Sequence, residues 1–258
     1  MGYNSRYWDD KENRGRVALQ HTKEVSQRYS AEIKRAVAKS VVYTDKVDRN
    51  KTIETMAEPI IEVVDLDSVS AVFNCYDGHS CILNFASYRH PGGGFIKGSK
   101  AQEECLCHAS FLYNVLRQFD SYYAYNELHL NDSLYTNRAI YTPNVIFERE
   151  NDAQVIDVLT CAAPNYSAYV RVDSDGSKQN YDALKSRIEF IRDIVEQNNV
   201  DTLIAGAFGC GVFRQDAKIV ANLFKEIFSV TSINKIIYAI PASIDEKNYN
   251  EFVKVFSV

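Results

Sequence analysis

Three consecutive glycines follow a short apolar segment, and they strongly constrain the fold of this chain. Residues 81–86 have the length and apolar character of a buried strand, and the glycines occupy positions 92–94. Glycine lacks a Cβ atom and adopts positive φ readily, so such a run can lie directly against a ligand. Seven residues later the chain reads Gln-Glu-Glu at positions 102–104. This order predicts a strand, a ligand-binding loop and a helix that carries acidic side chains.

The adjacent carboxylates of Glu103 and Glu104 are candidates for acid–base chemistry. Neighbouring helical residues point about 100° apart, so the two side chains cannot point the same way. One carboxyl could protonate a leaving group while the other binds ligand hydroxyls. Alternatively, both are ordinary acidic residues of a first helical turn, where the helix dipole favours them. His108, one turn after Glu104, is interpreted as a structural or pocket-edge histidine.

A second glycine-rich segment, residues 203–214, has the pattern of a strand, a turn and the start of a helix. In α/β sheets such turns lie at the carboxyl ends of strands, where ligands bind, and their free N–H groups favour phosphate. The glycine spacing matches neither a dinucleotide-binding fingerprint nor a P-loop, and tight packing could also explain it. Together with the first glycine run, it predicts two loops that hold one diphosphate.

Composition and charge narrow the function further. The chain has 258 residues, 46% of them hydrophobic and 24% charged, as expected for a globular protein with a sizeable core. A net charge of −5 argues against general nucleic-acid binding. The polar segment 1–16 lacks the apolar core of a secretory signal, and no apolar run approaches the roughly 18 residues of a membrane span. We therefore expect a cytoplasmic protein without a membrane partner.

The six cysteines lack C-x-x-C spacing and are expected to be reduced, mostly buried side chains. Cys105 and Cys107 precede His108, but on a helix the two thiols would point about 200° apart. A shared metal ion is therefore not expected at this cluster, and the sequence predicts no cofactor.

Alternating strands and helices in the second half predict an α/β fold with a largely parallel sheet. Helices are predicted at 13–39, at 99–117 with Ser99 and Gln102 as a capping box, at 177–197, at 216–228 and at the end of the chain. Strands are predicted at 41–44, 60–65, 71–75, 81–85, 138–141, 145–147, 155–161, 202–207 and 235–240. The segment 119–137 is interpreted as a loop whose tyrosines either line a pocket or cover the surface, and surface cover is the favoured interpretation.

Taken together, these motifs resemble those of the microbial-type poly(ADP-ribose) glycohydrolases, a branch of the macrodomain fold. The family signature has three glycines, a spacer of six to eight residues and Gln-Glu-Glu. Segments 83–87, 206–213 and 16–22 are also similar to the family, so the resemblance covers nearly the whole chain. It implies a macrodomain-like three-layer α/β/α core at 59–258 with a mixed, largely parallel central sheet. Residues 1–58 would form an N-terminal helical extension packed on that core.

The resemblance also implies an activity, which is hydrolysis of ribose–ribose O-glycosidic bonds in poly(ADP-ribose) on modified proteins. Glu104 would be the catalytic acid, and Glu103 would bind hydroxyls of the ribose next to the scissile bond. Substrate binding would involve Ser87, Gly92, Gly93, Gly94, Gln102, Gly209, Cys210, Gly211, Val212 and Phe213. We expect a monomer that needs no metal ion.

Several positions depart from the family pattern. Arg89 and His90 stand where small or amide residues are expected, Cys107 and His108 where a basic residue is common, and Ala217 where proline is expected. Substrate preference is therefore open. The alternatives are an ADP-ribosyl hydrolase for a protein side chain or a nucleobase, a non-catalytic ADP-ribose reader, and a generic nucleotide-phosphate-binding domain. Retention of both glutamates favours an enzyme, because a reader needs the loops but not the acid.

Overall fold

A mixed seven-stranded sheet forms the centre of the computed structural model, which describes residues 10–45, 47, 56–75 and 77–257. The strands are β1 (Val41–Thr44), β2 (Ile60–Val64), β3 (Ser80–Phe85), β4 (Arg138–Arg149), β5 (Asp152–Cys161), β6 (Thr202–Ala205) and β7 (Lys235–Ala239). They are arranged in the order β1-β4-β5-β3-β6-β7-β2. Neighbouring strands from β5 to β2 are parallel, whereas β1, β4 and β5 pair antiparallel. The predicted α/β class with a mixed, largely parallel sheet is confirmed.

Helices cover both faces of this sheet. They are α1 (Lys11–Arg28), α2 (Ser30–Lys39), α3 (Ser68–Asn74), α4 (Gln102–Ala109), α5 (Leu112–Leu116), α6 (Asp120–Leu128), α7 (Tyr166–Tyr169), α8 (Ser177–Gln197), α9 (Ala217–Ile227) and α10 (Ala242–Phe256), with 3-10 turns at Phe95–Lys97 and Asn131–Ser133. Alternate residues of a strand face opposite sides, so Leu83 packs in one core with α8, α9 and α10. Ile82 packs in a second core with α1 to α6. The sheet therefore lies between two helical layers.

Two expectations for the first third of the chain were wrong. The predicted helix 13–39 is two helices, because Tyr29 leaves helical geometry at φ −114° and packs its ring 5.8 Å from that of Phe111. The predicted strand 71–75 lies mostly within α3. Its helix begins at Asp67, whose side chain accepts a hydrogen bond of 2.9 Å from Ser70 N. This N-cap outweighs the β-propensity of the segment.

The predicted helix 99–117 is also divided. It begins at Gln102 rather than after a Ser99 cap, and it is interrupted at Ser110, where the backbone is extended. The Gln102 amide bonds to β3 instead of closing a capping box, because its Oε1 accepts from Phe85 N at 2.8 Å. This contact fixes the start of α4 against the end of β3.

The tyrosine-rich segment 119–137 contains α6 and a 3-10 turn instead of forming a surface loop. Tyr122, Tyr123 and Tyr135 are buried, and Tyr125 remains exposed. The first two join the core that holds Ile82, so their rings supply apolar surface that a loop interpretation assigned to solvent.

The N-terminal segment contributes to the sheet as well as to the helical layer. Residues 41–44 of the predicted extension form β1, in which Val41 pairs with Tyr141 of β4. A domain boundary at residue 58 stays a prediction, and residues 48–55 lie outside the described part of the chain. Among the helices that the structure describes, none has both the length and the apolar character needed to cross a membrane.

Candidate active site

The two glycine-rich segments follow neighbouring parallel strands. β3 ends at Phe85 and β6 ends at Ala205, and the two strands pair in parallel register. The ring of Phe85, the last residue of β3, lies 5.7 Å from that of Phe208, which follows β6, in an edge-on contact. Both segments therefore lie at the carboxyl edge of the sheet, the edge at which α/β proteins bind ligands.

The first glycine-rich loop makes a turn that requires glycine. Gly92 and Gly93 have φ of +65° and +59°, and Phe95 N donates to the Gly92 carbonyl at 3.0 Å. A Cβ atom at Gly92 would lie 2.7 Å from the Tyr113 ring, which is closer than side chains approach. The turn thus brings bare backbone against α5.

The carboxyl groups of Glu103 and Glu104 lie against this same loop. A Cβ atom at Gly93 would lie 2.5 Å from Glu104 Oε1 and 2.9 Å from Glu103 Oε2. Gly94 N donates a 2.7 Å hydrogen bond to Glu104 Oε1. Both carboxyl groups of the first turn of α4 therefore lie against the backbone of one residue.

Glu103 is almost completely buried, with 3% of its surface exposed. Its Oε2 accepts a 2.7 Å hydrogen bond from Ser87 N, and its Oε1 accepts a 3.3 Å bond from the Asn84 side-chain amide. Burial raises the pKa of Glu103 to about 8, assisted by the neighbouring Glu104, while these hydrogen bonds act in the opposite direction. Glu103 therefore favours the protonated form at neutral pH.

Glu104 is also buried, but its two oxygens differ. Oε1 accepts the hydrogen bond from Gly94 N, whereas Oε2 has no hydrogen-bond partner within the described part of the chain. Buried carboxylate oxygens are usually satisfied by donors. Oε2 is therefore an unsatisfied, buried acceptor, while Oε1 is the oxygen that lies against the glycine-rich loop.

Two predicted site residues beside the carboxyl pair make contacts within the protein. Ser87 is half-buried, and its Oγ accepts from His90 N at 3.2 Å. Gln102 uses both ends of its amide, because Oε1 accepts from Phe85 N and Nε2 donates to the Leu83 carbonyl at 2.9 Å. Gln102 thus joins α4 to β3, and its role in substrate binding stays a prediction.

His108 lies one turn beyond the carboxyl pair. Burial lowers the pKa of His108 to about 4, and the imidazole is neutral at neutral pH. Its ring packs edge-on against Phe95, with centroids 4.6 Å apart. This packing supports the structural interpretation of His108.

The second glycine-rich loop changes from tightly packed to open along its length. Gly209 has φ +76°, and a Cβ atom there would lie 2.7 Å from Ala163 Cβ. Cys210 N donates to the Ala207 carbonyl at 3.1 Å, and burial raises the pKa of the Cys210 thiol. By contrast, a Cβ atom at Gly211 would meet no atom of the described residues within 4 Å, and Val212 is 77% exposed. The loop tip therefore presents accessible backbone.

An aromatic cluster connects the two loops, and sequence reasoning found only one of its members. Tyr88, which follows Ser87, stacks on Tyr135 with centroids 4.2 Å apart. Tyr135 in turn meets Phe213 edge-on at 6.1 Å. The position of Tyr88 directly after a predicted site residue was the available signal. For Tyr135 the signal was the tyrosine-rich composition of segment 119–137, for which surface cover was the favoured interpretation.

A separate cleft of about 580 Å³ lies at the opposite, amino edge of the sheet, and its lining includes His79, Tyr141 and Asp157. Asp157 accepts hydrogen bonds from the Tyr141 hydroxyl at 2.5 Å and from Asn144 N at 2.8 Å, and it pairs with His79 Nε2 at 2.8 Å. The polar groups of this cleft thus hydrogen-bond to one another.

Among the residues that the structure describes, no group of three His, Cys, Asp or Glu side chains could hold a metal ion.

Comparison with families of known proteins shows which family this chain belongs to. The family model for the catalytic domain of microbial-type PARG, poly(ADP-ribose) glycohydrolase, matches residues 12–150, more than half of the chain. The chain belongs to this family. Family membership makes the chain an enzyme, a glycosidase-type hydrolase. The matched residues include the first glycine-rich loop and both glutamates, whereas the second loop lies beyond them.

Solved structures of bacterial PARG enzymes share the whole fold. The chain is 25% identical to PARG from Thermomonospora curvata, with a TM-score of 0.79, covering 94% of this chain and 99% of that one. It is 26% identical to PARG from Deinococcus radiodurans in complex with ADP-ribose, with a TM-score of 0.77, covering 86% and 96%. A comparison with functionally curated proteins gave no match. The structural similarity therefore extends well beyond residue 150, where the family match ends.

Proposed function

We propose that this protein hydrolyses the ribose–ribose O-glycosidic bonds of poly(ADP-ribose) and releases ADP-ribose. The observation that carries the proposal is the buried pair of Glu103 and Glu104, whose carboxyl groups lie against the Gly93 backbone. Burying two carboxyl groups side by side is unfavourable and needs compensation. A domain that only bound ADP-ribose would need the loops but not this pair.

The two glutamates take different roles in this proposal. Glu104 donates a proton to the departing ribose oxygen while an oxocarbenium-like centre forms at the anomeric carbon. It then accepts a proton from the attacking water, and Oε2, which has no partner in the described part of the chain, takes part in both transfers once ligand binding has exposed it. Glu103 binds hydroxyls of the ribose next to the scissile bond. Proton transfer of this kind contributes about 10²- to 10⁴-fold to the rate.

Burial explains why a proton is available at neutral pH. Burial and the neighbouring Glu104 raise the pKa of Glu103 to about 8, so the pair holds a proton under these conditions. With substrate bound, Glu104 delivers a proton to the leaving ribose oxygen, while Glu103 binds the ribose hydroxyls.

The two glycine-rich loops hold the diphosphate of the ligand. In this proposal the N–H groups of residues 211–213 face the phosphates, and Phe213 packs against the distal ribose. The first loop contributes close backbone approach, because Gly93 N and Gly94 N already donate to the His90 carbonyl and to Glu104 Oε1. The exposed tip at Gly211 and Val212 supports this assignment, because ligand can approach its backbone. Held near the reacting carbon, the diphosphate also stabilises the developing positive charge.

A second candidate function differs in the group to which ADP-ribose is attached. Exposed Arg89 at the start of the glycine-rich loop makes two 2.5 Å hydrogen bonds to Glu127 of α6, and His90 beside it is exposed. These side chains replace the small or amide residues expected there, which favours testing a modified protein side chain or nucleobase as an alternative substrate. In either case we expect a monomer that acts in the cytoplasm on modified macromolecules.

Release of free ADP-ribose from purified poly(ADP-ribose) tests the proposal. Glu104→Gln should lower kcat by about 100-fold or more while ADP-ribose binding is retained, because only the proton donor is lost. Glu196→Gln is the matched control, since Glu196 is buried in α8 and its carboxyl accepts from the Thr231 hydroxyl at 2.6 Å. This control should hydrolyse the polymer like the wild type. Binding without release by the wild type would point to a reader or another acceptor, and absence of binding would refute the proposal.

A further inference from the structure

The position of Ser87 depends on its neighbours, because it lies in a segment without regular secondary structure between β3 and the 3-10 turn at Phe95–Lys97. Its N–H group holds Glu103 Oε2 at 2.7 Å. On the strand side, the chain is anchored by Ala86 N, which donates to the Cys161 carbonyl at 3.2 Å. On the other side of Ser87 the next residue is Tyr88, so a hydrogen bond that holds the Tyr88 backbone also fixes the position of Ser87.

Asn126 of α6 provides that second anchor. It is fully buried, and its Nδ2 donates a 2.8 Å hydrogen bond to the Tyr88 carbonyl. Its Oδ1 accepts a 2.8 Å hydrogen bond from Arg138 Nε. An arginine can only donate and a carbonyl can only accept, so the amide has a single allowed orientation.

The partners of Asn126 are themselves fixed. The Arg138 guanidinium lies over the ring of Tyr125 at 4.1 Å from its centroid and over that of Tyr122 at 5.1 Å. The Tyr88 hydroxyl lies 2.9 Å from Thr136 Oγ1, in addition to the stacking of its ring. Asn126 therefore links the Arg138 side chain to the Tyr88 backbone. Its amide hydrogen bonds hold Tyr88 at a fixed position relative to α6.

We propose that Asn126 is a positioning residue for Glu103, because it holds Tyr88 where the adjacent Ser87 N–H group meets the Glu103 carboxyl. This inference rests on the proposed role of Glu103 in the reaction. It assigns a function to α6, a helix that contributes neither a glycine-rich loop nor an acidic side chain of the pair.

Asn126→Asp tests this assignment at a single atom. The substitution keeps an acceptor for Arg138 but places an oxygen against the Tyr88 carbonyl, so the two acceptors repel. Displacement of Tyr88 weakens the Ser87 hydrogen bond, and the ionised form of Glu103 loses a donor. The pH at which Glu103 loses its proton should rise by about one unit, a tenfold change in its protonation equilibrium. The value of kcat for ADP-ribose release should fall about tenfold.

Asn114→Asp is the matched control. Asn114 is also buried, and its Nδ2 donates to a backbone carbonyl, that of Thr22, at 3.0 Å. Thr22 belongs to α1, so loss of this bond lowers stability without moving Ser87. Both variants should melt below the wild type, whereas only Asn126→Asp should shift the titration of Glu103.

Carbon-13 NMR titration of the Glu103 carboxyl and the pH profile of ADP-ribose release provide the two readouts. An upward shift in Asn126→Asp, absent in Asn114→Asp, supports the proposal, and an unshifted titration in the folded variant overturns it. If Asn126→Asp does not fold, Asn126→Ser retains a donor on a shorter side chain and should shift in the same direction. A wild type without hydrolase activity would refute the proposed function, while the NMR titration would still decide the role of Asn126.

Discussion

Gly93 is the residue at which backbone conformation and the acidic pair meet. Its φ of +59° disfavours any other residue, and a Cβ atom would lie 2.5 Å from Glu104 Oε1. Gly93→Ala should therefore displace the carboxyl groups, lower ADP-ribose release by about tenfold or more, and reduce the free energy of unfolding by about 1 kcal/mol or more. Steady-state kinetics and denaturant unfolding measure both effects.

The control for this prediction is Gly211→Ala, read by stability alone. A Cβ atom at Gly211 meets no part of the chain that the structure describes within 4 Å, so the free energy of unfolding of Gly211→Ala should stay within about 0.5 kcal/mol of the wild type. Equal destabilisation by both substitutions would show that backbone flexibility, and not contact with the carboxyl groups, makes Gly93 necessary.

The same residues show how far the sequence could predict the site. Glycines and glutamates lie within one local segment, so their spacing could indicate that they act together. The use of Gln102 to bind β3 and the stacking of Tyr88 on Tyr135 could not be predicted, because their partners lie far away in the sequence. Local patterns indicate which chemical groups meet a ligand, but the contacts that position those groups depend on tertiary packing.

At the scale of elements, α1 supports the glycine-rich loop through close backbone contact. Gly98, directly after the 3-10 turn at Phe95–Lys97, has φ +76°, and a Cβ atom there would lie 1.9 Å from the Lys11 carbonyl oxygen. Buried Arg14 of α1 donates from Nε to the Gly98 carbonyl at 2.7 Å. The helix and the turn can therefore meet only where glycine leaves room.

Gly98→Ala should separate α1 from this turn. We expect the free energy of unfolding to fall by about 1–3 kcal/mol, with reduced hydrogen-exchange protection of the α1 amides. Gly78→Ala is a suitable control, because Gly78 also has positive φ, +55°, but its nearest neighbour is the Asp201 side chain. If both variants left α1 equally protected, the contact at Gly98 would not be what holds this helix.

Helix α8 and helix α3 show why some elements were predictable and others were not. The predicted helix 177–197 has the bounds of α8, because its 21 residues form a long amphipathic pattern against one core. The seven residues of α3 carry too little pattern to show periodicity, and its start is decided by the Asp67 cap. Long elements are therefore predicted well from their own sequence, whereas the conformation of short elements depends on contacts with neighbouring residues.

At the scale of the whole molecule, the sheet separates two clusters of titratable groups. The buried glutamates lie at its carboxyl edge, and His79 lies at its amino edge between Asp157 and the Asn199 carbonyl. His79 Nε2 is 2.8 Å from Asp157 Oδ2, and Nδ1 is 2.8 Å from Asn199 O. A carbonyl oxygen and an ionised carboxylate both need a donor, so this arrangement selects the imidazolium form.

The surroundings of His79 agree with that form. Burial opposes the charge, but the hydrogen bonds to Asp157 and Asn199 and the charges of Asp157 and Asp201 outweigh it, so the pKa of His79 is raised. Lys39 also lines this cleft, but it is not among the groups that set the direction of the shift. A raised pKa in the folded state means that the folded chain binds this proton more tightly than the unfolded chain does.

His79→Gln should therefore destabilise the protein in a pH-dependent way. The contribution of His79 is fully present below its unfolded pKa of about 6.5 and is lost as pH rises through the folded value. The difference in melting temperature between wild type and His79→Gln should be larger at pH 5.5 than at pH 8.5. Since His79 lies at the edge opposite the glutamates, kcat for ADP-ribose release should match the wild type wherever both proteins are folded. A melting difference independent of pH would mean that His79 contributes packing rather than charge.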